Sequence, residues 1–151
     1  MSSNNLYPEK ILIFDVKGPM AHFRKYYTNS SSLSYLFPPR TVAVGLIAGL
    51  LGLPSDRYTK EKEATYYEKF DEKRCLVAVS LRSKVRRIMQ TVNYIRTKSL
   101  SEVDGSAGGT QIPLEILLPE KNSEIIYRIY FYHMDEEIYD KLKERVAYED
   151  Y

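Results

Sequence analysis

The chain has no tryptophan, one cysteine (Cys75) and only two histidines (His22 and His133) in 151 residues. A single thiol excludes an internal disulfide. Two distant histidines and one cysteine lack the spacing of a ligand set, so no metal and no cofactor is expected. Long apolar runs are also missing. The longest uncharged one, Thr41 to Leu53, falls well short of the roughly 20 residues needed to cross a bilayer. The polar start MSSNNLYPEK carries no signal-peptide pattern, and a cytoplasmic protein is the expectation. Glycine is sparse, and DGSAGG fits neither a Walker nor a Rossmann phosphate loop.

What is present is an ordinary globular balance, 44% hydrophobic and 28% charged, enough for one domain with a sizeable core. Cys75 begins an apolar strand pattern and is expected to be packed rather than reactive. The net charge of +2 says little, but its distribution says more. Leu76 to Leu100 holds six cations (Arg82, Lys84, Arg86, Arg87, Arg96, Lys98) and no acid, whereas Met134 to Tyr151 holds seven acids against three bases. The first segment can meet an anion; the second would repel one. Between them SLSEVDGSAGGT is Ser/Gly-rich and reads as a hairpin tip.

Periodicity places the elements. KILIFDVKG reads as a strand in a buried central position, and TVAVGLIAGLLG as a helix with Thr41 as N-cap and Gly52 as its stop. RCLVAVSLRSKVRRIMQTVNYIRT reads as one or two long strands, with 82, 84 and 86 on one face and Arg87 opposite. TQIPLEILLP and EIIYRIYFYH read as a pair around the turn PEKNS. DEEIYDKLKERV is an amphipathic helix with apolar residues at 138, 139, 142 and 146, acids at its start and bases near its end. The first helix is apolar all round and needs cover on most sides. Gly45 and Gly49 leave a smooth strip for close packing on a sheet, and its N-terminus, beside Arg40 and Thr41, could present free N–H groups to a phosphate.

The stretch IFDVKGPMAHFRKYYTNSSSLSYLFPPRTVAVGLIAGLLG resembles the N-terminal signature of the Cas five family, the RAMP-superfamily subunit of type I CRISPR Cascade. TQIPLEILLPE followed by YRIYFYH is similar to a second stretch of its type I-B-like members. The resemblance spans most of residues 10–146. It implies an α+β, ferredoxin-like (RRM-related) antiparallel sheet with two helices. It further implies a single domain over 1–151 with a β-hairpin thumb inserted at about 84–118. Only AYEDY follows Val146, so the last core strand of that fold is missing.

The implied function is non-catalytic: holding the 5′ handle of a guide RNA within Cascade, with the backbone subunit and the large subunit as protein partners and no membrane. HFRKYY combines cations and aromatics, the mixture that phosphate neutralisation and base stacking require. Arg24, Lys25 and Arg40 are the candidates for handle phosphates and Tyr26 for stacking. By the resemblance Lys84, Arg86, Arg87, Arg96 and Lys98 lie on the thumb. Tyr130 and Tyr132 share one strand face, but with no RNP motif cross-strand packing is the expectation. The alternatives are a metal-independent endoribonuclease that processes precursor guide RNA, and a truncated protein-interaction domain. His22, Lys25 and Tyr26 or Tyr27 could supply the chemistry of cleavage. The nuclease relatives, however, use a Lys-His pair that this sequence lacks, and no catalytic residue is assigned.

Overall fold

The structure, a computed structural model, describes residues 7–28, 30–55, 65–95, 104–106, 108–121 and 124–148. In chain order these form β1 (Leu12–Gly18), α1 (Arg40–Leu50), α2 (Tyr66–Lys69), β2 (Cys75–Leu81), β3 (Val85–Ile95), β4 (Gly109–Pro119), β5 (Ile125–His133) and α3 (Glu136–Tyr148). The class is the expected α+β, ferredoxin-like one, with a third, one-turn helix added. That turn, α2, is closed by a capping box in which Thr65 Oγ1 accepts from the Glu68 N–H and the Glu68 carboxylate from the Thr65 N–H. Among the described residues no strand follows α3.

Two compact units make up the chain. The first (Met1–Val16, Phe37–Arg82 and Ile126–Tyr151) holds a sheet in the order β1-β5-β2. The β-branched and aromatic run of β5 makes it the central strand. It pairs antiparallel with β2 from Cys75 opposite His133 to Leu81 opposite Tyr127. Alternation then divides its side chains: Tyr127, Ile129, Phe131 and His133 are buried, while Ile126, Arg128, Tyr130 and Tyr132 are half-buried. Ile129 and Phe131 share the core with Val44 and Ile47 of α1, Phe70, and Tyr139 and Leu142 of α3. His133 is structural. Its Nε2–H donates to the Lys69 carbonyl at 3.0 Å and its Nδ1 accepts from the Asp135 N–H at 2.9 Å. The Asp135 carboxylate in turn accepts from the Glu137 N–H and caps α3. Cys75 is packed as expected, and burial pushes its thiol up to about 12.

Several expectations need correction. The first strand, β1, lies at a sheet edge, not in the centre, and among its residues only Phe14 is buried. The helix α1 begins at Arg40, so its N-cap is Pro39 and Thr41 makes no side-chain cap. Proline fixes φ near the helical value, and the Pro39 carbonyl already accepts from the Val42 and Ala43 N–H groups. Cover on α1 is partial, with Ala43, Val44, Ile47 and Ala48 buried but Val42 43% and Leu46 40% exposed. A Cβ on Gly45 would reach no closer than 4.0 Å to the Tyr66 hydroxyl, and one on Gly49 would meet nothing. The glycine strip therefore packs against no sheet. Gly52 does act as the stop, at φ 70°. Its N–H donates to the Gly49 carbonyl and the Leu53 N–H to the Ala48 carbonyl, the paired bonds of a Schellman motif.

The second unit (Lys17–Leu36 and Ser83–Ile125) is built on the antiparallel hairpin β3–β4, whose register runs from Val85 opposite Pro119 to Ile95 opposite Gly109. Of the stretch SLSEVDGSAGGT expected as its tip, residues 99–103 and 107 lie outside the described residues. TQIPLEILLP pairs with β3 rather than with β5. Because the chain breaks between β2 and β3, positions 82, 84 and 86 do not alternate along one strand. Ala21 and Ser32 bridge β4 at Leu117 and Leu114, and Leu117 is fully buried.

The two glycines of the α1 terminus should respond oppositely to alanine. Gly52→Ala places a Cβ in the left-handed region and is expected to destabilise by about 1 kcal/mol. Gly49→Ala, in a helix beside open space, should stabilise by up to about 1 kcal/mol. Urea denaturation midpoints check both signs.

Candidate nucleic-acid interface

Residues 21–35 fold back on themselves through the Arg24–Ser34 bridge. The Lys25 N–H donates to the Leu33 carbonyl at 2.9 Å and the Tyr35 N–H to the Phe23 carbonyl at 2.8 Å. The tip carries Tyr26 and Tyr27, 87% and 58% exposed, with ring centroids 5.3 Å apart in an edge-on arrangement. Lys25 Nζ stands 5.9 Å from the Tyr27 ring and 5.7 Å from the Tyr35 ring. A cation near two aromatic rings is held by their quadrupoles, and Lys25 is half-buried there. Arg24 is tied more tightly, its Nη2 donating to the Thr28 carbonyl at 3.3 Å. The buried Thr28 donates its hydroxyl to the Lys25 carbonyl at 3.0 Å.

This tip is locked onto β4 by a polar network. The Glu115 Oε2 accepts from the N–H of the fully buried Ser34 at 2.8 Å, and the Ser34 hydroxyl accepts from the Phe23 N–H. His22 Nδ1 lies 2.7 Å from the Glu115 carbonyl oxygen, which can only accept, so Nδ1 carries the proton. Its Nε2 is then the partner of the Ser32 hydroxyl at 3.0 Å. Both ring nitrogens are engaged within the protein. Arg87 joins the same network, with Nη1 3.8 Å from Glu115 Oε1.

The other sequence candidates are scattered. Lys84 and Arg86 are exposed at the base of the hairpin, with Arg86 and Arg87 on opposite faces of β3. Arg96 and Lys98 lie outside the described residues. Arg40 belongs to the first unit, where its Nη2 donates to the Phe70 carbonyl at 2.7 Å and the Cys75 carbonyl at 3.2 Å, a backbone-capping role. Sequence reasoning missed Glu115 and Ser34, which are 81 positions apart, so no local signal links them. Tyr27 and Tyr35 were within reach, through the spacing of aromatics around Lys25. Among the described residues no group of three or more His, Cys, Asp or Glu is placed to hold a metal, and no helix is long and apolar enough to cross a membrane.

Exposed rings beside a cation offer stacking faces and a positive charge. The family is specific. The model described as CRISPR-associated protein (Cas_Cas5) matches residues 11–137, and the chain belongs to that family. Its fold is similar to that of a chain from a structure titled "CRISPR RNA-guided surveillance complex", with a TM-score of 0.53 and 14% identity. The alignment covers 89% of this chain and 54% of that one, so the chain spans about half the length of that neighbour. No curated protein sequence matches the chain.

Removing the carboxylate of the lock tests it. Glu115→Ala leaves the Ser34 N–H buried without its acceptor and is expected to cost about 1–3 kcal/mol. Glu115→Gln, which keeps an acceptor oxygen, should cost clearly less. Amide hydrogen exchange at Ser34 and Lys25, with urea denaturation alongside, measures both.

Proposed function

We propose that the chain is an RNA-binding subunit of a type I-B-like Cascade complex that holds the 5′ handle of the guide RNA and catalyses no reaction itself. The observation that carries this reading is the Lys25-Tyr26-Tyr27 tip, two exposed rings and an ammonium presented on a loop whose base is fully hydrogen-bonded. Family membership and the similarity to a surveillance-complex chain support the setting. In this reading β3–β4 is the thumb inserted at about 84–118, and Lys84, Arg86 and Arg87 neutralise phosphates at its base. The backbone and large subunits of the complex are the protein partners. Arg40 serves the handle less directly, since its guanidinium is already used by two carbonyls. His22 would have to release either the Glu115 carbonyl or the Ser32 hydroxyl to act as a base, which favours binding over cleavage.

Affinity for handle RNA, measured in the assembled complex, should fall steeply with salt, at about 0.7 log units per log unit for each single-strand phosphate neutralised. Replacing Arg86 and Arg87 together should flatten that slope by roughly 1 to 1.5 units. Tyr26→Ala should weaken binding by about 1 to 3 kcal/mol with the slope unchanged, because stacking releases no counterions. If neither replacement alters affinity, this reading is wrong. Repeat RNA incubated with the protein in EDTA should remain intact. Specific cleavage abolished by His22→Ala would establish the endoribonuclease reading instead.

A further inference from the structure

We infer that the sheet face of the first unit turned away from its helices is a separate binding surface for unpaired nucleobases of single-stranded RNA, with Tyr130 and Tyr132 as the stacking residues. Its ligand class rests on the RNA role proposed above, but its residues do not overlap with the tip or the hairpin.

The placement follows from alternation along β5. Because Ile129, Phe131 and His133 fill the core, Arg128, Tyr130 and Tyr132 must emerge together on the opposite face, two residues apart on the central strand. The β2 register puts Ala78 opposite Tyr130 and Leu76 opposite Tyr132, so each ring stands beside a small or aliphatic neighbour and not another ring. The Ser80 hydroxyl donates to the Tyr130 hydroxyl at 3.4 Å, which ties the ring tip to β2. A groove of about 580 Å³ runs along these side chains, bordered on its other side by Pro8 and Ile11, with Glu72 at its rim. That volume exceeds the size of one nucleobase, and Tyr130 and Tyr132 on its lining offer ring faces for stacking.

Charge decides between RNA and an apolar protein segment as the occupant. Arg128 continues the tyrosine row, held by paired bonds to Asp15 at 2.8 and 2.9 Å. Arg82 is exposed just beyond β2, where its N–H extends the ladder to the Ile126 carbonyl and alternation assigns it to the same face. With Arg40 and Glu72 on the lining of the groove itself, three guanidiniums against two carboxylates stand beside the aromatic row. A cation followed by aromatics at the second and fourth positions after it is the outward-facing pattern of the RNA-reading strand of RRM sheets. Ile129 and Phe131 differ from the small residues of that signature. They face the core, however, and govern packing rather than the ligand face.

The test uses the full chain and a labelled, unstructured RNA octamer, alongside the same octamer carrying abasic riboses. Tyr130→Leu and Tyr132→Leu should each weaken octamer binding about tenfold with no change in salt slope, while the Tyr→Phe versions retain it. Abasic RNA should not distinguish the leucine variants from the parent. Crosslinking of the unsubstituted chain at short ultraviolet wavelength adds a readout independent of any variant, and adducts on Tyr130 or Tyr132 support the inference. Leucine variants that melt like the parent and bind the octamer equally well overturn it, as do adducts confined to Tyr26 and Tyr27. Leucine variants that keep RNA affinity but fail to join the other complex subunits also overturn it and make the face a protein contact. Tyr26→Ala and the Arg86/Arg87 pair are measured in parallel. Losses there without losses at the sheet sink this inference alone, and losses at neither sink the proposed function with it.

Discussion

The period of two along β5 is the constraint on which the first unit depends. Ile129 and Phe131, which β5 sends inward, share a core with residues of α1 and α3, and their burial stabilises by about 1.5–3 kcal/mol each. A slip of one residue against β2 would exchange the two faces, placing Arg128 in the core and Phe131 in water. The register from Cys75–His133 to Leu81–Tyr127 is thus fixed by hydrophobic burial. The composition of the outer face follows from that choice, since whatever the core does not accept must stand outside it.

The second unit is held by a different kind of interaction. A two-stranded hairpin is marginal on its own, and here the outer edge of β4 is taken up by Ala21 and Ser32, with the Glu115 carboxylate closing the base of the tip. Satisfying the backbone at the base leaves the tip residues free of structural duty. Tyr26 can then remain exposed, and the ordering entropy of a contact made there is partly met in advance.

Legibility in the sequence followed the range of the forces. The amphipathic helix α3 and the Gly52 stop rest on interactions a few residues long, and periodicity and turn residues revealed them. The α1 start was misplaced by two residues because Thr41 is a good cap in general, whereas Pro39 takes that position through its fixed backbone. TQIPLEILLP was paired with its sequence neighbour EIIYRIYFYH, since local pattern carries no information on which of two adjacent strands changes partner. Arg40 looked like a phosphate ligand because its acceptors, the carbonyls of Phe70 and Cys75, lie 30 and 35 positions away. The Glu115–Ser34 bond was invisible for the same reason. The family signature, by contrast, was readable in two motifs, and the family model covers both.

Charge placement along β3–β4 narrows what the hairpin can do in the proposed role. Its cations among the described residues, Arg86 and Arg87, stand at its base, and from Ile88 to Ile95 and along β4 there is no further cation. Its body instead carries cross-strand apolar pairs, Ile88 with Ile116 and Val92 with Ile112, on one face. Phosphate neutralisation scales with the number of ammonium and guanidinium groups within reach of the strand, so among the described residues the base and the Lys25 tip carry that term. The stretch from Ile88 to Ile95, which carries no cation, can contribute through side-chain contact with bases or with another protein surface. In the proposed role a polyanion is held electrostatically at the root of the hairpin, and the uncharged stretch from Ile88 to Ile95 is spared the desolvation of charged groups.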